Sequence, residues 1–267
     1  MVPKPPIPAE QVGFVYVPPY RIQGISIAGE QTLAQVPELD LCFDIGLCPR
    51  LAVSSDHVAL SHGHMDHVAG LPYYFSQRTF QGLPPGRCVC PSGLVRPLER
   101  MLSSWAPVEH QRTPFEVVGL EPEEEFRFRK GTFLRAIEAR HTVDALSYAV
   151  IEHRTKLREE FSGFPQSRLR SLRESGESIT RDVYVPLIAY TGDTAAGPAL
   201  YREEFARAKV VITECTFFRS EHRDRARIGK HLHFDELRAL LEVWEAEAVI
   251  LTHISRRTTL REVRETL

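Results

Sequence analysis

Short apolar runs of the kind that form β-strands occur along most of the chain, and helical spacing is confined to a few segments. RIQGISIAG, LDLCFDIG and HVALSH predict strands between residues 21 and 62. Residues 87–90 and 115–151 hold further strand candidates, rich in β-branched and aromatic residues. Helix signals occur over 66–81 and 93–105. The first half of the chain is therefore expected to be mostly sheet.

The second half alternates strand and helix candidates. VYVPLIAY, KVVITE and AVILTH predict strands, and LYREEFARA and FDELRALLEVWE between them predict helices. In the second helix, taken as the last of the chain, apolar residues recur at helical spacing and predict a face in the core: Phe234, Leu237, Leu240, Leu241 and Trp244. Strands in bulk followed by this alternation predict stacked sheets with helices outside.

Two segments depart from the pattern. The first twenty residues are rich in proline and are expected to run extended before the fold begins. Residues 152–182 contain few apolar residues and many cations, namely Arg154, Lys156, Arg158, Arg168, Arg170, Arg173 and Arg181. Because no internal repeat divides the chain, residues 1–267 are interpreted as a single domain with an Arg-rich surface insertion at about 152–182.

The overall charge limits the classes of partner. The 267 residues include 33 Lys+Arg and 35 Asp+Glu, which gives a net charge of −2, and 43% are hydrophobic. That apolar fraction is enough to bury a core. A nearly neutral protein does not bind nucleic acid through its overall field, so any contact with RNA would need a local patch.

Cysteine usage and hydropathy predict a cytoplasmic protein without membrane association. The five cysteines are odd in number and have no CxxC spacing, which argues against a disulfide framework. No apolar run approaches the roughly 18 residues that a membrane span needs. The N-terminus has prolines where a signal peptide needs an apolar helix.

The densest candidate chemistry is the segment Ser61-His-Gly-His-Met-Asp-His67, directly after the apolar run HVAL. His62 and His64 are two residues apart, so an extended loop can direct both imidazoles at one ion. Asp66 and His67 can serve a second ion nearby. Imidazole and carboxylate together suit zinc or a similar first-row divalent ion.

HGHMDH matches the HxHxDH signature of the metallo-β-lactamase superfamily, and later segments resemble its ribonuclease Z (tRNA 3′-processing) branch. The segments that carry this resemblance are FDIG at 43–46, HGHMDHVAGLP at 62–72, His141, TGDT at 191–194, TECTF at 213–217, HLHFDEL at 231–237 and LTHISRR at 251–257. The superfamily implies an α/β (α+β) fold, a four-layer αββα sandwich with two metal ions at one edge.

The resemblance also implies a ligand set for two divalent ions, with zinc expected and manganese or iron also accepted by such ligands. His62, His64 and His141 would hold the first ion; Asp66, His67 and His253 would hold the second; Asp193 would bridge. Taken singly, each of His141, Asp193 and His253 could equally be an ordinary residue at the end of a strand, with no metal bound.

Two ions about 3.5–4 Å apart can share a hydroxide that attacks a phosphodiester, a reaction whose negative transition state gains from paired cations. Asp66 would hold or accept the proton of the attacking water. The ribonuclease Z resemblance implies that Glu214 orients a histidine that protonates the leaving oxygen. His231 lies 22 residues before His253, as expected in that family. His233 is the alternative.

Arg257 matches the arginine of the family's terminal HxSxR run, which would contact substrate phosphate, although Thr258 stands where the family usually has Tyr. A basic stretch between Glu214 and His231 (Arg219, Arg223, Arg225, Arg227 and Lys230) has two interpretations. It could line an approach for an anionic backbone, or it could be a solvated loop, since Glu221 and Asp224 alternate with these cations.

One departure from the family concerns substrate binding. Bacterial ribonuclease Z carries a long flexible arm that grips the tRNA elbow between the positions of His141 and Asp193. Only 51 residues, 142–192, separate those positions here, and strands use many of them. The clamp is therefore expected to be shortened or absent.

Two functional hypotheses follow. The first is a phosphodiesterase acting on RNA, with precursor tRNA 3′ ends as the expected substrate. The second is a small-molecule hydrolase of the same superfamily, acting on cyclic phosphodiesters, lactones or other esters. Intact His64 and His67 argue against the di-iron oxidoreductases of the superfamily, which carry acids there. The branch is often dimeric, so a homodimer is compatible with the resemblance.

Overall fold

Two β-sheets pack face to face in the computed structural model, which describes residues 12–267. The first sheet has the order β1-β2-β3-β4-β5-β6-β7. Strands β1 to β4 are antiparallel and β4 to β7 are parallel. The bounds are β1 Gly13–Val17, β2 Tyr20–Ile27, β3 Gln31–Val36, β4 Leu41–Phe43, β5 His57–Ala59, β6 Arg87–Pro91 and β7 Glu116–Leu120.

The second sheet comes from the rest of the chain, in the order β13-β12-β11-β10-β9-β8. Strands β8 to β11 are antiparallel, whereas β11, β12 and β13 are parallel. The bounds are β8 Glu125–Arg129, β9 Thr132–Glu138, β10 Leu146–Leu157, β11 Thr180–Tyr190, β12 Val210–Glu214 and β13 Ala248–Thr252.

Helices cover the outer faces of both sheets. Their bounds are α1 Met65–Val68, α2 Leu71–Phe80, α3 Val95–Glu109, α4 Gln166–Glu174, α5 Glu203–Ala206, α6 Arg223–Gly229, α7 Phe234–Leu241 and α8 Leu260–Thr266. Apolar residues of α2 and α3 pack on the first sheet, and those of α5 and α7 pack on the second. A third apolar cluster fills the space between the sheets. These layers confirm the predicted αββα sandwich.

The fold begins earlier than the proline content indicated. Residues 1–11 lie outside the described residues, but β1 pairs with β2 from Gly13↔Gly24 to Val17↔Tyr20. The expectation of an extended run up to residue 20 is therefore wrong. The run GFVYV has the aromatic and β-branched residues of a strand, and the next two prolines, Pro18 and Pro19, occupy the hairpin turn.

The C-terminal helices also differ from expectation. In α7, Leu237 and Leu240 are completely buried, but Leu241 is 36% exposed because the helix ends there and the chain turns away. The last helix is α8, which a Thr259 capping box begins.

Residues 152–182 form the outer part of a long hairpin. β10 and β11 stay paired out to Leu157↔Thr180, and α4 lies between them. Strands that extend beyond the sandwich are exposed on both faces, which explains the scarcity of apolar residues in this segment. The description of the chain as one domain with a surface insertion stays a prediction.

Candidate metal centre

The predicted ligands lie together at one edge of the sandwich. β5 leads into the His62–His67 loop, whereas β9, β11 and β13 lead to His141, Asp193 and His253. The last three strands run in the same direction, so their carboxyl ends meet at one edge of the second sheet. A bridge between His62 and Ala145 joins this edge to the loop of the first sheet.

Two glycines allow the loops to approach closely. A Cβ at Gly46 would lie 1.8 Å from the backbone oxygen of Asp66, so only glycine lets the chain after β4 pack against the metal-binding loop. Gly192, with a φ of 58°, holds the turn that carries Asp193, and a Cβ there would lie 2.6 Å from that of Ser61.

Three imidazoles face one point. Nδ1 of His64 lies 3.0 Å from Nε2 of His62 and 3.2 Å from Nε2 of His141. Nitrogen ligands 2.0–2.1 Å from a tetrahedral zinc ion are separated by about 3.3 Å. The spacing of these nitrogens therefore fits one ion held by all three.

A second group lies beside the first. Oδ2 of Asp66 is 3.5 Å from Nε2 of His67 and 3.3 Å from Nε2 of His253. Nε2 of His67 is completely buried and has no hydrogen-bond partner among residues 12–267. A buried ring nitrogen without a partner is costly unless an ion occupies the point that it faces.

Asp193 lies between the two groups. Its Oδ2 is 3.8 Å from Nε2 of His62, 3.3 Å from Nε2 of His67 and 3.2 Å from Nε2 of His253. One carboxylate oxygen thus faces ligands of both groups. The seven side chains fit two divalent ions with Asp193 between them.

Burial and neighbouring charges shift the pKa values of this cluster. Burial raises the pKa of Asp193, but His253 and His67 outweigh it and hold the pKa below its ordinary value. Burial also raises the pKa of Asp66, but the nearby His253 and His67 rings outweigh it and lower that pKa. Burial lowers the pKa of His62 to about 2. At His67, burial is outweighed by the Asp193 and Asp44 carboxylates, which raise its pKa, so this ring would release a proton on binding an ion.

Asp44, which was not singled out from the sequence, supports two ligands of the first sheet. It is completely buried, and its Oδ2 accepts hydrogen bonds from Nδ1 of His67 at 2.7 Å and from the Ser61 hydroxyl at 2.8 Å. Since the hydroxyl donates to Asp44, it accepts from Nδ1 of His62, at 2.9 Å. Both rings therefore present Nε2 to the site. The signal was an acid directly after β4, within FDIG.

Thr216 plays the corresponding part for the second sheet and was also missed. Its hydroxyl donates to Oε2 of Glu214 at 2.5 Å, so it accepts from Nδ1 of His253, at 2.9 Å. This leaves Nε2 of His253 to face Asp66 and Asp193. No signal in the sequence marked this threonine beyond its place in TECTF.

Glu214 and His231 are brought together. Oε1 of Glu214 accepts a hydrogen bond from Nδ1 of His231 at 3.1 Å, and that nitrogen is 3.9 Å from Oδ2 of Asp193. Burial lowers the pKa of His231, but the Glu214 carboxylate outweighs it and raises the pKa to about 9. His231 is thus placed beside the proposed ligands, and its Nε2 has no hydrogen-bond partner among residues 12–267.

His233 serves the start of α7. Its Nδ1 accepts from the backbone N–H of Asp235 at 3.2 Å, and its Nε2 donates to the carbonyl of Arg219 at 3.0 Å. With Glu236 it forms a capping box. Both ring nitrogens are engaged away from the ligands, so the geometry favours His231 over His233 as the proton donor.

Lys230 connects the loop of His231 to a metal ligand. Nζ of Lys230 donates to the carbonyl of His141 at 2.6 Å, and Nδ1 of His141 donates to the carbonyl of Lys230 at 3.2 Å. These two hydrogen bonds hold His141 with Nε2 toward the site.

The cations that were predicted to contact substrate, Arg257 and the basic stretch between Glu214 and His231, differ in their surroundings. The Arg257 side chain is exposed, and within the described part of the chain no hydrogen bond or ion pair joins its guanidinium to another residue. Its contact with substrate phosphate stays a prediction. Of the basic stretch, Arg223, Arg227 and Lys230 line a cleft of about 760 Å³ beside His141 and His231, although Arg223 pairs with Asp235 and Arg227 with Asp224.

The five cysteines are all free and buried. Over the described residues, no helix has both the length and the apolar composition to cross a bilayer.

Residues 47–254 match the β-lactamase superfamily domain. The chain is 32% identical to tRNase Z TRZ1 of Arabidopsis thaliana over 249 residues, which cover 92% of this chain and 89% of that relative. The chain belongs to the tRNase Z family.

Solved structures show the same fold. The metallo-β-lactamase fold protein YhfI from Bacillus subtilis has a TM-score of 0.63 at 14% identity, over 91% of this chain and 88% of that one. The human tRNase Z, short form, has a TM-score of 0.59 at 18% identity, over 92% and 91%.

Membership in the tRNase Z family makes the protein a metal-dependent hydrolase of the ribonuclease Z type. The prediction of a ribonuclease Z-like phosphodiesterase is confirmed by this family membership. The small-molecule alternative is not favoured by these relatives.

Proposed function

We propose that the protein is an endoribonuclease that cuts precursor tRNA at its 3′ end with a dinuclear metal centre. The observation that carries the proposal is the convergence of seven donor side chains at one edge, with the Glu214–His231 pair beside them. The name of the Arabidopsis relative supports tRNA as the substrate.

The two ions would be held by His62, His64 and His141 on one side and by Asp66, His67 and His253 on the other, with Asp193 shared. When bound, two divalent ions supply positive charge for the phosphoryl oxygens and make water acidic enough to attack near neutral pH. Zinc is the expected metal, because five imidazoles and two carboxylates suit it.

Asp66 would act on the attacking water. Oδ2 of Asp66 faces His67 and His253 and accepts from the backbone N–H of Gly29 at 2.8 Å. Its Oδ1 has no hydrogen-bond partner among the described residues, so it can accept a hydrogen bond from the attacking water. The lowered pKa keeps this carboxylate ionised, so it would hold and orient the water rather than take its proton for long.

His231 would be the general acid. Glu214 binds its Nδ1, which orients the ring and favours the protonated form, so Nε2 can donate a proton to the leaving ribose oxygen. His231 also lines the cleft of about 760 Å³, which has room for the nucleotides on either side of the scissile bond.

The test uses two substrates that differ in leaving group. The wild-type protein with zinc is expected to cleave a precursor tRNA transcript and leave a 3′-hydroxyl end. His231→Ala and Glu214→Gln should lower this rate by about 10²–10⁴-fold, the usual range for general acid catalysis. Bis-p-nitrophenyl phosphate is the control, because nitrophenolate leaves without a proton.

Equal losses on both substrates would show that His231 supports the metal centre rather than protonating the leaving group. An uncut transcript together with active turnover of the nitrophenyl ester would reject RNA as the substrate.

Three coarser features belong to the same proposal. A cytoplasmic location fits five free cysteines. A homodimer and a single domain with its 152–182 insertion are retained as predictions, which light scattering and limited proteolysis can test.

A further inference from the structure

A second groove, of about 650 Å³, lies on the second sheet away from the metal centre. It is lined by side chains of β8, β9, β10 and β11, among them Arg127, Lys130, Phe133, His153 and Tyr184, and we call it the distal groove. His153 is seven residues along β10 from Leu146 at the metal edge. At about 3.3 Å per residue, the groove begins roughly 20 Å from the ligands.

The floor of the distal groove is an aromatic platform. His153 and Tyr184 pair across β10 and β11, and their rings stack with centroids 5.1 Å apart and an interplanar angle of 25°. Phe133 meets the Tyr184 ring edge-on at 6.1 Å, and Asp182 accepts a hydrogen bond from His153 at 2.8 Å. Tyr184 is nevertheless 58% exposed. A fixed, exposed ring of this kind can stack on a nucleobase.

The walls of the groove are basic. Four cations and one acid line it, which gives a local charge of +3 in a chain whose net charge is −2: Arg127, Arg129, Lys130, Arg135 and Glu125. Arg129 is paired with Asp40, and Arg135 with Glu125 and Glu204. Within residues 12–267, Arg127 and Lys130 are exposed and have no acidic partner. These two cations are available to phosphate.

The Arg-rich insertion provides a contrast. Residues 152–182 contain seven Lys+Arg but also six Asp+Glu. Arg170 pairs with Glu174, and Arg181 with Glu159. The insertion is therefore nearly neutral, and the local positive patch that RNA requires lies in the distal groove.

We propose that the distal groove binds the RNA substrate, with backbone phosphates on Arg127 and Lys130 and a base stacked on Tyr184. This inference rests on the proposed function. The strand β9 connects the two sites, since Phe133 and Arg135 line the groove and Glu138 lines the cleft beside His141. One RNA molecule can thus contact both.

The experiment measures binding of a fluorescently labelled precursor tRNA transcript by anisotropy, and cleavage of the same transcript. The double variant R127E/K130E should weaken binding at least ten-fold at low salt and lower the slope of log K against log[salt] by about 2, roughly 1 per lost phosphate contact. KM should rise with kcat unchanged, and turnover of bis-p-nitrophenyl phosphate should stay the same.

Two matched controls locate the effect. R173E reverses an exposed cation of α4 that has no acidic partner in the described structure, and it should leave binding unchanged. Tyr184→Ala should weaken binding by about ten-fold, whereas Tyr184→Phe keeps the ring and should bind as the wild type does.

The outcomes separate the two proposals. If the wild type cleaves the transcript and R127E/K130E binds it normally, or if R173E has the larger effect, the distal groove is not the RNA site. If the wild type binds but does not cleave, and R127E/K130E loses binding, the groove stands and the proposed function fails. If the wild type neither binds nor cleaves, both fail.

Discussion

The two sheets contribute to the metal centre in different ways. The first sheet supplies four of the proposed ligands from one loop of six residues, His62–His67, and a single buried acid, Asp44, orients two of them. The second sheet supplies one proposed ligand at each of three strand ends, and each histidine there has its own support, Thr216 or Lys230. On the first sheet the ligands are neighbours in the sequence and share one supporting residue, whereas on the second sheet they come from separate segments and have separate supporting residues. A single change should therefore cost more on the first side.

The largest effect is expected for ligands of the first sheet. His64→Ala and Asp66→Ala should abolish turnover, because each removes a donor atom, and metal analysis of the purified variants should show reduced occupancy. His110→Asn is the control, since His110 is exposed, matches no motif and has a φ of 50°, which asparagine tolerates. Normal rates in both alanine variants with the metals retained would refute the mechanism.

An intermediate effect is expected for the supporting residues, and here the two sides can be compared directly. Asp44→Asn should lower metal affinity by roughly 10–100-fold, because it weakens the orientation of His67 and, through Ser61, of His62. Of the proposed ligands, Thr216→Val releases only His253, although it also removes the hydrogen bond to Glu214, and the loss of metal affinity should fall at the lower end of that range.

Competition with a chromophoric zinc chelator measures both affinities. Equal losses in Asp44→Asn and Thr216→Val would remove the contrast between shared and separate supporting residues.

The smallest effect is expected at His233. His233→Ala should reduce the free energy of unfolding by about 1 kcal/mol through loss of the α7 cap, with turnover unchanged. Urea denaturation and a rate assay check this, and His233→Asn should restore stability because asparagine also caps. If His233→Ala instead loses RNA cleavage as His231→Ala is expected to, the assignment of the proton donor is wrong.

The extent to which the sequence predicted the site follows the same division. The His62–His67 loop could be recognised because its donors are neighbours in the chain. His141, Asp193 and His253 needed the family resemblance, since each alone is an ordinary strand-end residue. Asp44 and Thr216 were missed because their importance comes only from the hydrogen bonds that folding creates between distant strands.

Hydrophobic patterns in the sequence predicted the layers of the fold but not every strand or helix end. The layers followed from strand candidates and alternation, but β3, with Thr32 and Gln35 buried in it, lacks the apolar run that marks a core strand. The choice between His231 and His233 depended on where α7 begins. Leu241 was misplaced for a similar reason, since the spacing of residues does not show where a helix ends.

The contact at Gly46 limits how the metal-binding loop could be transferred to another scaffold. A Cβ at Gly46 would lie 1.8 Å from the Asp66 carbonyl oxygen. The conformation of the loop therefore depends on its contact with the segment after β4 as well as on its own sequence. A designer who grafts HGHMDH alone would move the ligands and leave behind the surface that bends them into place. The smallest transplantable unit also includes the FDIG segment, with its acid and its glycine.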